Sequence, residues 1–203
     1  MEQIYKETFK NLIINPQKAF SIIIENKLDK YEKTWISGLS FPSLISSIFL
    51  IAHFLGFKIG GYISVFLIAI LITPIFPFVV LLVGKWMNGK ATKPEINSIF
   101  SYGRIPLYFS IIIYFSCIFV CGFNTHTNLD NINIYRYGNV SYYLYVIGCY
   151  MDIALVLLTL LYLIIGFSIA QRFSILKSAL NVLLASILIG VPLAFIRILI
   201  RLF

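Results

Sequence analysis

The sequence predicts an all-α, polytopic membrane protein with five transmembrane helices and amphipathic helices at the cytoplasmic interface. Three observations carry that prediction. The 203 residues are 60% hydrophobic and only 12% charged, where a soluble domain is nearer half apolar and about a quarter charged. Five separate segments supply the roughly 20 mostly apolar residues that a spanning helix needs. The 16 Lys and Arg residues gather in particular loops, which in a membrane chain reports topology. A net charge of +8 would suggest nucleic acid in a soluble protein. Here it is a loop bias, and nucleic acid is not an expected partner.

Residues 1–34 form a cytoplasmic amphipathic helical segment. Lysines and acids interrupt its apolar runs every few residues, so it neither spans nor resembles a cleaved secretory signal. Two helices are expected in it. In the first, Tyr5, Phe9, Leu12 and Ile13 recur at helical spacing opposite Glu2, Lys6, Glu7 and Lys10. In the second, Asn15 caps, Pro16 suits the first helical position, and Ala19, Phe20, Ile23 and Ile24 make the apolar face. Both helices are expected to lie on the headgroups and anchor the bundle.

The membrane domain occupies 35–203. Spans one and two, about 35–57 and 61–84, are joined by the tight Gly60-Gly61 turn as a hairpin. The Pro74 and Pro77 pair should kink the second. Between spans two and three, Thr92 caps a short helix over 93–102 and Glu95, three residues on, reaches back in a capping box. Pro94 sits harmlessly in its first turn, Ile96, Ile99 and Phe100 mark one apolar face, and Gly103 followed by Pro106 stops it. This helix is expected on the cytoplasmic leaflet. Span three, about 105–123, leads into a polar loop, FNTHTNLDNINIYRYGNVS, that also contains the glycosylation sequon Asn139-Val140-Ser141. Spans four and five, about 145–170 and 178–200, form a second hairpin across QRFSILK.

With the amino terminus inside, twelve of the 16 Lys and Arg fall on the cytoplasmic side. The positive-inside bias therefore puts the carboxyl terminus outside. Trp35 and Trp86 fall at cytoplasmic span ends, and Tyr135, Tyr137, Tyr142, Tyr143 and Tyr145 crowd the outer boundary, as aromatic belts do. The abundance of Ile, Lys, Asn, Tyr and Phe suits an AT-rich bacterial genome, so a bacterial inner (plasma) membrane is the expected location.

Three stretches resemble the Ypt-interacting-protein (Yip) family of five-span membrane proteins, in its bacterial branch. They are NPQKAF at Asn15 to Phe20, GKATKPEINSIFSYGRIPL at Gly89 to Leu107, and LIIGFSIAQRFS at Leu163 to Ser174. The eukaryotic branch carries a Gly-Tyr-x-x-x-Pro motif and an Asp-Leu-Tyr-Gly-Pro motif, and binds prenylated Rab-type GTPases in vesicle traffic. Here Tyr102 and Pro106 keep the first spacing, with Ser101 in place of the leading Gly, and LDKYEKT stands where the second motif would be. What the resemblance implies is a membrane scaffold; GTPase binding goes with motifs that are incomplete in this chain.

Ionisable residues inside a span are functional candidates. At about 1.5 Å per residue, Asp152 lies roughly 30 Å from Arg172, and Arg197 roughly 30 Å from Lys177, so both reach the outer boundary, close to the level of His53. A polar cluster of His53, Asp152 and Arg197, with an Asp152–Arg197 ion pair, is expected there as a structural tie. Ser40, Ser43 and Ser47 on one face of span one, Gly166 and Ala170 in span four, and Ser186 and Gly190 in span five read as packing residues. Cys117, Cys121 and Cys149 sit in apolar surroundings without partners at metal spacing and read as packing too. The sequence holds no Ser-His-Asp arrangement, no His-Glu-x-x-His and no phosphate-cradling glycine loop. No catalytic residue, metal or cofactor is expected.

The expected function is a non-enzymatic scaffold, adaptor or bilayer-shaping protein in membrane organisation or trafficking. Its candidate partner- or lipid-facing residues are Thr92, Glu95, Ile96, Ile99, Phe100, Tyr102 and Pro106. Its expected partners are the lipid bilayer and a cytoplasmic or membrane protein, with a second copy of the chain as a further candidate. The alternative is a small oligomeric permease or channel that uses the kinked second span and the serine face of the first.

Overall fold

The computed structural model describes residues 2–26, 28, 75–110, 112–113, 116 and 134–202. Every regular element among the described residues is helical: α1 (Glu2–Ile14), α2 (Pro16–Glu25), α3 (Ile75–Trp86), α4 (Lys93–Gly103), a 3-10 turn (Ile105–Leu107), α5 (Ile134–Gln171) and α6 (Ile175–Leu202). Among the described residues two stretches are long and apolar enough to cross a membrane, Val146–Gln171 within α5 and Ile175–Pro192 within α6; α3 is a shorter apolar helix. The first expected span, the start of the second with Pro74, and most of the third lie outside the described residues. So do His53, the serine face of span one, Trp35, Cys117 and Cys121.

The helix boundaries follow local chemistry. Asn15 Oδ1 accepts from the Lys18 amide at 3.1 Å, and Pro16 takes the first helical position of α2. At the start of α4, Glu95 Oε2 accepts from both the Thr92 amide at 2.6 Å and the Thr92 hydroxyl at 2.7 Å. The glutamate therefore reaches back as a capping box requires. α4 ends at Gly103, and Pro106 lies within the 3-10 turn that follows.

α5 begins earlier than the hydropathy suggests. It starts at Ile134, so the aromatic-rich end of the expected polar loop, including Asn139-Val140-Ser141, is helical. Helix extension adds one hydrogen bond per residue fixed, so a long apolar helix propagates into a flank that lacks a strong breaker. Its 38 residues make it about 57 Å long at 1.5 Å per residue.

The chain divides into two compact units. Unit 1 comprises Met1–Lys33, Leu71–Gly103 and Leu161–Phe203. Its core is built from Leu12 of α1, Ala19, Phe20 and Ile23 of α2, Val80 and Val83 of α3, Ile96, Ile99 and Tyr102 of α4, Phe167 of α5, and Val182 and Ala185 of α6, all buried. Ser178 of α6 donates to the Ile164 carbonyl of α5 at 2.7 Å, which ties the last helical hairpin near its turn. Unit 2 comprises Thr34–Ile70 and Arg104–Leu160. Among its described residues, Arg104, Leu107, Ser110, Asp152 and Thr159 are buried.

Candidate functional site

Two glycines let the short helices approach the long one in unit 1. At Gly166 a Cβ would collide with Ile99 Cγ2 of α4 and stand 3.3 Å from Phe20 Cδ1 of α2. At Gly103 a Cβ would stand 2.7 Å from Leu163 Cδ2. Phe20 also meets Tyr162 edge-on, with ring centroids 6.3 Å apart. The Tyr162 hydroxyl donates to the Leu12 carbonyl at 2.5 Å, satisfying one of the carbonyls that the last turn of a helix leaves without an internal partner. In this way α1, α2 and α4 are all fastened to one end of α5.

That end is also where α3 and α5 stop side by side. Each terminates on a non-glycine residue in the left-handed region, Asn88 at φ 64° and Arg172 at φ 57°. The following amides turn back into their helices, Gly89 N–H to the Gly84 carbonyl at 2.7 Å and Phe173 N–H to the Ser168 carbonyl at 2.8 Å. This is the 6→1 bond of a Schellman ending. Lys85, Lys90, Arg172 and Lys177 place positive charge near these two C-termini, whose dipoles present partial negative charge.

Gln171 joins the two endings. Its side chain is 0% exposed and lies in a cradle between Gly84 and Gly89. A Cβ on Gly84 would collide with the amide nitrogen and come 2.6 Å from the amide oxygen; one on Gly89 would collide with that oxygen. The amide donates to the Val80 carbonyl at 3.3 Å, and the main-chain carbonyl of Gln171 accepts from the Lys90 amide at 3.2 Å. Sequence reasoning did not single out Gln171. The only available signal was a polar amide at the end of a long apolar run, together with two glycines five residues apart at the end of span two.

The expected partner- or lipid-facing residues differ in exposure. Ile96, Ile99 and Tyr102 are buried in the unit 1 core, so the apolar face of α4 is turned into the protein. Helical periodicity reports that a face is apolar; it does not report whether protein or lipid covers it. Phe100 is half-buried and its ring lies 5.6 Å from that of Phe76 on α3. Thr92 is exposed, Glu95 is half-buried in the cap, and Pro106 is buried in the 3-10 turn.

The outward apolar residues are elsewhere. On α1, Phe9 is 45% and Ile13 83% exposed, with Ile14 also exposed. They lie beside the exposed Lys10. Glu7 of α1 and Lys18 of α2 form an exposed ion pair at 3.2 Å. Of the expected packing pairs, Gly166 and Ala170 are buried as packing residues would be. Gly190 differs, since no atom lies within 4 Å of the Cβ it lacks.

In unit 2, Asp152 is fully buried on α5. His53 and the Arg197 side chain are outside the described residues, and the cluster expected between the three lies there too. Arg104, N-cap of the 3-10 turn, is buried as well. Burial pushes its guanidinium down to about 10, an effect opposed by Tyr108, so it is charged at neutral pH. Among the described residues no group of three His, Cys, Asp or Glu side chains is placed to share a metal ion.

Three sequence stretches thus converge on one end of α5: residues 15–20 through Phe20, 89–107 through Gly89, Ile99 and Gly103, and 163–174 through Leu163, Gly166 and Gln171. No protein-family model matches the chain, and neither a curated protein nor a solved structure does.

Proposed function

We propose that this chain is a five-span, non-enzymatic membrane protein of the Yip type, acting as a scaffold or adaptor that organises the bilayer or a partner from its cytoplasmic side. The observation that carries the reading is the convergence at Gly166, Gly103 and Gln171 of the three stretches on which the family resemblance rests. Close backbone approach through glycines and a buried amide between helix ends packs α2, α3 and α4 against one end of α5.

Membrane residence is supported by exposure. Only 22% of the Ile175–Pro192 window is buried by the protein. Leu176, Leu183, Ile187 and Val191 point outward, whereas the core helix of a soluble protein hides such residues. The exposed Phe9 and Ile13 beside Lys10 give α1 an amphipathic outer face suited to an interface between headgroups and acyl chains.

The test is a photo-crosslinking amino acid at Phe9 or Ile13 in native membranes, paired with a vesicle-shape assay on the purified full chain. A discrete protein adduct, or vesicle remodelling that Phe9→Glu abolishes, is the expected result. A chain that yields neither contradicts the reading.

A further inference from the structure

Between α3 and α4 lies a groove of about 490 Å³, inside the range of roughly 300–1,000 Å³ that holds small ligands. Leu81 and Ile96 lie buried along it, and Ile75 and Phe78 are exposed on the α3 side. From α4 come two polar side chains one turn apart, the exposed Lys93 and the half-buried Asn97. Along α3, Phe78, Leu81 and Lys85 recur at helical spacing, so the exposed Lys85 continues the same stripe one turn beyond Leu81.

The groove is therefore apolar along its length with cations at one margin. From 85 to 103 the chain carries Lys85, Lys90 and Lys93 against a single acid, Glu95, whose carboxylate is engaged by the Thr92 cap.

We infer that this groove binds one anionic phospholipid of the surrounding bilayer, its acyl chain along Ile75, Phe78 and Leu81 and its phosphate against Lys93, Asn97 and Lys85. The charge complementarity selects an anion. The exposed apolar wall selects a ligand that brings its own hydrocarbon, since Ile75 and Phe78 gain nothing from a free phosphate. Lys93 acts as a point charge on the phosphate, and Asn97 offers amide N–H donors beside it. The inference rests on the proposed membrane residence of α3 and goes beyond the scaffold reading, for it names a ligand and the side chains that select it.

The experiment is native mass spectrometry of the full-length protein in detergent, titrated with phosphatidylglycerol or phosphatidylcholine, after carbonate washing of the source membranes. Wild type should bind the first phosphatidylglycerol more tightly than phosphatidylcholine. Lys93→Gln should weaken phosphatidylglycerol about five-fold, the value of one juxtamembrane lysine, and leave phosphatidylcholine unchanged. Lys93→Arg should retain the preference, Ile75→Trp should weaken both lipids by filling the groove, and Lys18→Gln should alter neither. Equal binding of the two lipids by wild type, or an equal loss from Lys18→Gln and Lys93→Gln, overturns the site. Release of the protein by carbonate overturns the membrane reading itself, whereas retention without lipid preference overturns the groove alone.

Discussion

Gly84→Ala tests the junction of α3 and α5 most sharply, because its effect depends on one other residue. The new Cβ would collide with the Gln171 amide nitrogen and come within 2.6 Å of the amide oxygen. The amide cannot retreat freely, since Gly89 closes the other side and Gln171 is fully buried. Overpacking of this kind costs about 1–3 kcal/mol. Without the clash the sign reverses, because alanine in a helix is favoured over glycine by about 0.5–1 kcal/mol.

The cycle therefore has four arms: wild type, Gly84→Ala, Gln171→Ala and the double variant. Gly84→Ala alone should lower the melting temperature in detergent by roughly 2–12 °C, taking about 2–4 °C per kcal/mol for a chain of this size. In the Gln171→Ala background the same change should be neutral or stabilising, giving a coupling of about 1–4 kcal/mol between the two sites. A Gly84→Ala protein as stable as wild type, or one that loses as much in either background, would refute the cradle.

Further outcomes follow from other contacts. Tyr162→Phe removes the bond to the Leu12 carbonyl, worth about 0.5–1.5 kcal/mol, and should raise amide hydrogen exchange over residues 2–14 more than over α6. Thr92→Ala removes only the hydroxyl's bond to Glu95 and should cost no more than about 0.5–1.5 kcal/mol, whereas Glu95→Ala removes both bonds to Thr92 and should cost more; thermal melting separates the two. Arg104 is pushed down from the ordinary guanidinium value only to about 10, so folded and unfolded chains both hold its proton at pH 6–9. The melting difference between wild type and Arg104→Met should be flat across that range. Above about pH 10 the folded chain releases the proton first, so the difference should shift in favour of wild type as pH rises.

The sequence made the helix starts legible because their causes are local. Asn15-Pro16 and Thr92-x-x-Glu95 are each complete within four residues: Asn15 accepts from the Lys18 amide as expected, and Glu95 reaches back to the Thr92 amide, while the Thr92 hydroxyl donates to Glu95. The helix ends were less legible. Gly103 marked one, and Asn88-Gly89 suits the left-handed ending of α3, but α5 ends on Arg172, for which that conformation is uncommon and carries no sequence signal.

The direction of α4 was not legible either. Ile96, Ile99 and Phe100 announce an apolar face, yet only the position of Gly166, more than sixty residues on, decides that protein rather than lipid covers Ile99. Gln171 shows the same limit, for its cradle is made by Gly84 of α3 and Gly89 of the turn that follows it. The start of α5 at Ile134 was hidden by polar and turn-forming residues that a long helix can absorb at its end.

In the proposed reading α1, held to α5 through Leu12 and Tyr162, presents Phe9 and Ile13 to a bilayer. The most direct measurement places a single tryptophan at position 9, 13 or 7 in a full chain with Trp35 and Trp86 replaced by phenylalanine, and reads quenching by brominated lipids. Glu7 is about 160° around the helix from Phe9 at 100° per residue. Strong quenching at 9 and 13 with weak quenching at 7 is the predicted result. Equal quenching at all three positions, or none at 9 and 13, would contradict the account.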